Sequence, residues 1–229
     1  MSSIWSPPAP DPELRARRER LLAGARLYLC TDARTATGDL EDFLHAAYAG
    51  GVDIIQLRDK AIEARAEIEA VRLLGAVAAE HGRLFAVNDR ADVAALTGAD
   101  VFHVGQGDLT TAQARALLGP DVLLGRSNRT EAMFAESLAD PGIDYAVIGP
   151  VWATPTKPGR APVGPAMVAR AAELAAAAGK PWFAIGGVDA GRVAGLRARG
   201  AERVVVVRAI TQAADPRAAA RGLRDALGG

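Results

Sequence analysis

The segment Gln56-Leu57-Arg58-Asp59-Lys60 sets an amide and two cations at alternate positions. Alternate side chains of an extended chain leave on one side, so Gln56, Arg58 and Lys60 would converge. A planar guanidinium fork beside a compact ammonium suits a phosphate or a diphosphate; a solvated surface cluster is the plainer reading. Further along, Asp89 follows Asn88, and Asp108 closes Gly105-Gln106-Gly107-Asp108. Two carboxylates brought together repel unless a cation lies between them. Hard oxygen ligands beside a phosphate site suit Mg²⁺, which takes only one or two protein carboxylates. The competing reading is that each aspartate caps the helix after it. Thr154, Thr156 and Lys157 then add two hydroxyls and a third cation within the Pro- and Gly-rich stretch from Gly149 to Arg160. Ordered loops of that length are often lids or binding loops; the alternative is a plain surface loop. Finally, Gly186-Gly187 precedes Val188-Asp189, where glycines let backbone N–H groups approach an anion at a helix start.

Such residues need a frame that brings distant segments together. Short apolar runs at Leu27–Cys30, Asp53–Leu57, Leu84–Val87, Val101–Val104, Val122–Leu124, Tyr145–Ile148, Trp182–Ile185 and Arg203–Val207 read as strands. They are nearly continuous in apolar residues, as strands covered on both faces of a parallel sheet are. Between them, apolar residues recur three and four apart, as in Leu40, Phe43, Leu44 and Ala47 or Ile68, Val71, Leu74 and Ala78. Gly50, Gly82, Gly98, Gly119, Gly179 and Gly200 follow helical stretches, where left-handed caps favour glycine. Asp189 reads as an N-cap, and Asp215-Pro216 as a cap with proline in the first turn. Eight strand–helix pairs in this length predict an α/β fold, a single-domain (β/α)₈ TIM barrel. An open doubly wound sheet fits less well, since no Gly-x-Gly-x-x-Gly follows the first strand. Residues 1–12 read as a flexible tail and 13–229 as the barrel with its N-terminal helix.

In a barrel the loops after the strands build the active face, which is where the polar segments fall. Composition narrows the partners. The 229 residues carry 27 basic and 27 acidic side chains, so no net charge draws the chain toward nucleic acid or a membrane. No apolar run reaches the ~20 residues of a membrane span, and the first residues lack the apolar region of a secretory leader. The single Cys30 excludes an internal disulfide framework and reads as a small buried hydrophobe. His103 lies within a strand and reads as barrel lining without an evident partner. A cytoplasmic enzyme acting on small molecules is the expectation, and a homo-oligomer is compatible with it.

Assembled in order, these segments resemble the thiamine-phosphate synthase family. The likeness runs from about Tyr28 to Ile210 and rests on Gln56–Lys60, Val87-Asn88-Asp89-Arg90, His103–Asp108, Ile148-Gly149-Pro150-Val151, Thr154-Pro155-Thr156-Lys157 and Ile185-Gly186-Gly187-Val188. The resemblance implies that a pyrimidinylmethyl pyrophosphate is joined to a thiazole phosphate, with or without a 2-carboxylate, giving thiamine phosphate and pyrophosphate in a Mg²⁺-dependent reaction. It also implies that Gln56, Arg58, Lys60, Asn88 and Lys157 hold the pyrimidine pyrophosphate and that Asp89 and Asp108 ligate Mg²⁺. Ser127 would lie beside the reacting pyrimidine; Thr154 and Thr156 would meet the thiazole, and the Gly187 backbone its phosphate. Arg58, Lys60, Ser127 and Lys157 would be catalytic. The chemistry agrees: an amino-substituted pyrimidinylmethyl group can leave diphosphate as a stabilised cation. Such a reaction asks for charge neutralisation and positioning rather than for a nucleophile with its own base.

Three positions depart from the family pattern. Arg126 stands where an apolar residue is common, Arg129 where histidine is common, and Arg208 where serine is frequent. Arg208 would serve the thiazole phosphate as a charge-assisted donor in place of a hydroxyl. Rival readings are a thiazole tautomerase on the same barrel, which needs an acid/base to move a ring proton, and a phosphate-ligand sensor that binds without turnover.

Overall fold

The structure is a computed structural model and describes residues 8–154 and 161–228. The eight apolar runs form β1 (Leu27–Thr31), β2 (Ile54–Leu57), β3 (Leu84–Asn88), β4 (Val101–Val104), β5 (Leu123–Asn128), β6 (Tyr145–Ile148), β7 (Trp182–Ile185) and β8 (Val204–Val206). Each pairs in parallel with the next, and β8 returns to β1, closing the barrel. Alternation divides every strand between two layers. Tyr28, Ile54, Leu84, Val101, Leu123, Tyr145, Phe183 and Val205 fill the lumen. Leu29, Ile55, Phe85, Phe102, Leu124 and Ala184 face outward into the layer beneath the helices. Both faces are therefore covered, which explains why the strands read as continuous apolar runs.

The outer ring consists of α2 (Leu40–Ala49), α3 (Ala64–Glu80), α4 (Ala91–Thr97), α5 (Thr111–Leu118), α6 (Glu131–Ala139), α7 (Gly164–Ala178) and α8 (Ala190–Arg197), then a short α9 (Arg208–Thr211) and α10 (Pro216–Ala226); α1 (Pro12–Gly24) precedes β1. Asp189 and Asp215 accept N–H bonds from Arg192 and Ala218 as the expected caps. Gly98, Gly179 and Gly200 take positive φ as expected. Gly50 does not: its φ is −77°, and Gly51 takes the positive φ instead. A Cβ at Gly50 would press on the Arg217 carbonyl and on Ala220, so close packing of α10 is what glycine permits there. α1 begins at Pro12, capped by Asp11, whose own N–H donates to Asp121. The tail expected over residues 1–12 falls largely on residues 1–7, outside the described residues.

The N-terminal end of the barrel is closed by α1 and locked by a repeated device. Leu22 joins the luminal cluster from below. One residue before each of β2, β4 and β6 stands an aspartate: Asp53, Asp100 and Asp144. Each accepts a backbone N–H from the strand before its own: Leu27 to Asp53 at 3.0 Å, Phe85 to Asp100 at 3.3 Å and Leu124 to Asp144 at 2.7 Å. Arginines neutralise them. Arg83 and Arg224 reach Asp53, Arg18 reaches Asp100 at 2.8 Å, and Arg15 and Arg115 grip Asp144. Buried carboxylates persist only when paired and hydrogen-bonded in this way. This end is therefore tied down, and the opposite end is left for chemistry.

β5 runs further than its apolar residues suggest. Gly125, Arg126, Ser127 and Asn128 continue the ladder against Tyr145–Ile148, because backbone pairing with β6 does not depend on side-chain polarity.

Candidate active site

Three adjoining cavities open at the C-terminal ends of the strands. The first, of 420 Å³, is lined by Arg58, Lys60, Asn88, Asp89, Gly105, Gln106, Gly107, Asp108, Ser127 and Arg129. The second, of 230 Å³, reaches into the lumen past Tyr28, Cys30, Gln56, Arg58, Asn88, His103 and Ser127. The third, of 290 Å³, lies over β5 to β8 and is lined by Ser127, Arg129, Thr154, Gly186, Gly187, Arg192, Arg208 and apolar residues such as Val147 and Ile185. Ser127 borders all three.

The expected triad is divided between two of these spaces. Arg58 and Lys60 share the polar cavity, whereas Gln56 is buried lower down and donates from Nε2 to the Tyr28 hydroxyl at 3.0 Å. The Arg58 backbone N–H donates to the Thr31 carbonyl at 2.8 Å, but its guanidinium makes no hydrogen bond or ion pair among the described residues and is available to a ligand. Lys60 Nζ lies 2.7 Å from Asp89 Oδ2. Neither aspartate caps a helix. Arg90 holds the N-cap position of α4, and α5 is capped by Thr110 in a capping box with Gln113. Asp89 instead sits at φ 46°, a left-handed conformation that aspartate tolerates better than most residues. Asp108 turns back to accept the Gly105 N–H at 2.6 Å. A carboxylate already balanced by an ammonium and a second carboxylate on the same cavity form a hard donor set suited to Mg²⁺.

The apolar cavity carries its polar groups at one end. Gly187 has φ 68°, and a Cβ there would come within 2.9 Å of Trp152 Cβ. Glycine thus keeps the turn before α8 open to a ligand. Arg192 stacks 4.8 Å over the Trp152 ring and donates to the Gly187 carbonyl, which fixes the turn. Arg208 opens α9 and is exposed at the rim. Thr154 lines the same space. Thr156 and Lys157 lie outside the described residues.

The lumen below Ser127 corrects two readings from sequence. His103 is not without partners: Nε2 lies 2.8 Å from Ser127 Oγ and Nδ1 lies 3.0 Å from the Tyr145 hydroxyl. Cys30 is only half buried and donates from Sγ to Gln56 Oε1 at 3.2 Å. Tyr28, Tyr145 and Arg192 were not among the residues that sequence reasoning selected. The two tyrosines look like core strand residues, and only the closed barrel brings β1, β4 and β6 face to face. A signal for Tyr145 does exist in Gly125: a Cβ there would overlap the Tyr145 ring. Burial pushes both phenols well above the ordinary tyrosine range, so they keep their protons. Burial also raises the Glu67 carboxyl, which faces Arg90 at 3.5 Å beside the polar cavity.

A parallel eight-stranded barrel with a cationic, carboxylate-bearing cavity at its C-terminal mouth defines a phosphate-handling (β/α)₈-barrel enzyme. Residues 27–210 match the family described as thiamine monophosphate synthase. The chain is 56% identical to a thiamine-phosphate synthase of Arthrobacter sp. (strain FB24), covering 91% of this chain and 97% of that one. It is 53% identical to a thiamine-phosphate synthase of Thermobifida fusca (strain YX), covering 95% and 97%. Among solved structures it resembles a thiamine phosphate pyrophosphorylase from Pyrococcus furiosus, with a TM-score of 0.79 at 26% identity over 93% of this chain and 97% of that one. The chain belongs to the thiamine monophosphate synthase family and is an enzyme of the transferase class. Among the described residues no helix is long and apolar enough to cross a membrane.

Proposed function

We propose that the chain joins a 4-amino-2-methyl-5-pyrimidinylmethyl pyrophosphate to a thiazole ethyl phosphate, or its 2-carboxylate, to give thiamine phosphate and pyrophosphate. The observation that carries this reading is the meeting of the three cavities at Ser127: one polar and cationic, one luminal and one apolar with a polar end at Gly187, Arg192 and Arg208. The donor's ring takes the luminal space beside Gln56, and its diphosphate takes the polar cavity. There Arg58, Lys60 and Asn88, with Lys157 from the loop, neutralise and orient the leaving group. Asp89 and Asp108 would hold Mg²⁺, which when bound supplies further charge neutralisation to the diphosphate. The acceptor's ring lies against Thr154 and Thr156, with its phosphate on the Gly187 backbone and Arg208.

The reaction is dissociative: the carbon–oxygen bond to diphosphate breaks first, and the thiazole nitrogen attacks the resulting pyrimidinylmethyl cation. The residues hold both partners in line and exclude water rather than supply a nucleophile. The substrates are small molecules of the cytoplasm, and the working unit is the barrel together with α1, which starts at Pro12. Incubating the chain with both substrates and Mg²⁺ should release pyrophosphate and thiamine phosphate in equal amounts. Conversion of the thiazole alone, without pyrophosphate release, would instead establish an isomerase.

A further inference from the structure

Below Ser127 a continuous line of hydrogen bonds crosses the lumen. Ser127 Oγ meets His103 Nε2 at 2.8 Å, and His103 Nδ1 meets the Tyr145 hydroxyl at 3.0 Å. That hydroxyl lies 3.2 Å from the Tyr28 hydroxyl, which accepts from Gln56 Nε2 at 3.0 Å. Gln56 Oε1 in turn accepts from Cys30 Sγ at 3.2 Å. The serine, imidazole and hydroxyl members can each donate or accept; the amide nitrogen only donates. With each hydroxyl giving its one proton to the next member of the line, the polarity follows from the amide. Tyr28 accepts from Gln56 and passes its own proton to Tyr145. Tyr145 passes its proton to His103 Nδ1. A neutral imidazole that accepts at Nδ1 carries its proton on Nε2, and that proton goes to Ser127 Oγ.

We propose that Gln56, Tyr28 and Tyr145 hold His103 as the Nε2–H tautomer, so that Ser127 accepts from His103 and turns its own hydroxyl proton into the cavity. There it donates to an acceptor atom of the bound pyrimidine diphosphate. His103 and the two tyrosines are positioning residues that act through Ser127. Both phenols are fully buried and keep their protons, as the relay requires. If Gln56 presented its oxygen to Tyr28, every bond in the line would reverse, and Ser127 would offer the substrate a lone pair. The Cys30 thiol holds the amide the first way, because a thiol donates to the carbonyl oxygen and has little to offer an amide nitrogen. Gly125 leaves the space through which the Tyr145 ring reaches His103.

The proposal deepens the reading of Ser127 given above and its kinetic test rests on that reading; its spectroscopic test does not. With ¹⁵N-labelled histidine, and His103→Asn to assign the signal among the three histidines, the relay expects His103 Nε2 protonated and Nδ1 unprotonated. Tyr145→Phe and Tyr28→Phe keep the rings and should each abolish that preference. Each should lower kcat about two- to tenfold, the rate equivalent of one neutral hydrogen bond, with little change in either KM. Added to Ser127→Ala, neither should cost anything further. A protonated Nδ1 in the unaltered chain, or losses that multiply with Ser127→Ala, would overturn the relay. A chain that showed the Nε2–H tautomer but released no pyrophosphate would overturn the proposed reaction and leave the relay standing.

Discussion

Asp89 does two separable things, and two substitutions pull them apart. Its backbone is left-handed at φ 46°, where an ordinary L-residue costs about 1–2 kcal/mol and asparagine or aspartate much less. Its side chain, 19% exposed, pairs at 2.7 Å with Lys60, which is 61% exposed; pairs of that kind contribute about 0–1 kcal/mol. Asp89→Asn should therefore cost less than about 1 kcal/mol in folding, and Asp89→Ala about 1–2 kcal/mol more. At about 2–4 °C per kcal/mol for a chain of this size, the alanine variant should melt about 2–8 °C below the asparagine variant. Both lack the carboxylate, so both should need at least ~10-fold more Mg²⁺ for half-maximal rate, by comparison with the loss measured when only a supporting residue of a metal site is removed. The assay is the initial rate of pyrophosphate release against Mg²⁺ concentration, run beside thermal melts. An unchanged Mg²⁺ requirement in Asp89→Asn would refute the ligand assignment. Equal melting temperatures for the two variants would refute the backbone argument.

Arg58→Ala removes a guanidinium that holds nothing in the ligand-free chain, so stability should stay within ~0.5 kcal/mol while kcat/KM for the pyrimidine substrate falls about 10- to 100-fold. Asp53→Asn should lower stability in urea melts by about 2–4 kcal/mol, because Arg83 and Arg224, 35% and 23% exposed, lose the charge between them. The turnover of the folded fraction should not change, since Asp53 lies at the closed end. Burial raises the Glu67 carboxyl, so the folded chain binds that proton more tightly than the unfolded one. Stability from this group is fullest below the ordinary glutamate value of 4.5 and declines as pH rises to the elevated folded value. Glu67→Gln should flatten that decline in melts from pH 4 to 7; an unchanged slope would count against burial as the dominant cause.

Much of the frame is legible in the chain itself. Eight apolar runs separated by helical patterns specify a parallel barrel, because only strands covered on both faces can be continuous in apolar residues. The mouth is legible too: Arg58, Lys60, Asp89, Asp108 and Gly187 follow strands, and strand ends of a barrel converge by geometry. What depends on pairing across the barrel is not. Whether Asp89 and Asp108 cap helices or face a cavity is decided by the turns at Arg90 and Thr110, which a residue type does not reveal. Nothing local marks Asp53, Asp100 and Asp144 as a set, and their common role appears only when neighbouring strands supply the N–H groups. His103 looked solitary because its partners, Ser127 and Tyr145, are 24 and 42 residues away in the chain and only a closed sheet makes them neighbours. Local patterns write the period of each element and the chemistry at its end, whereas contacts across the lumen are set by strand order and closure, which no single segment encodes.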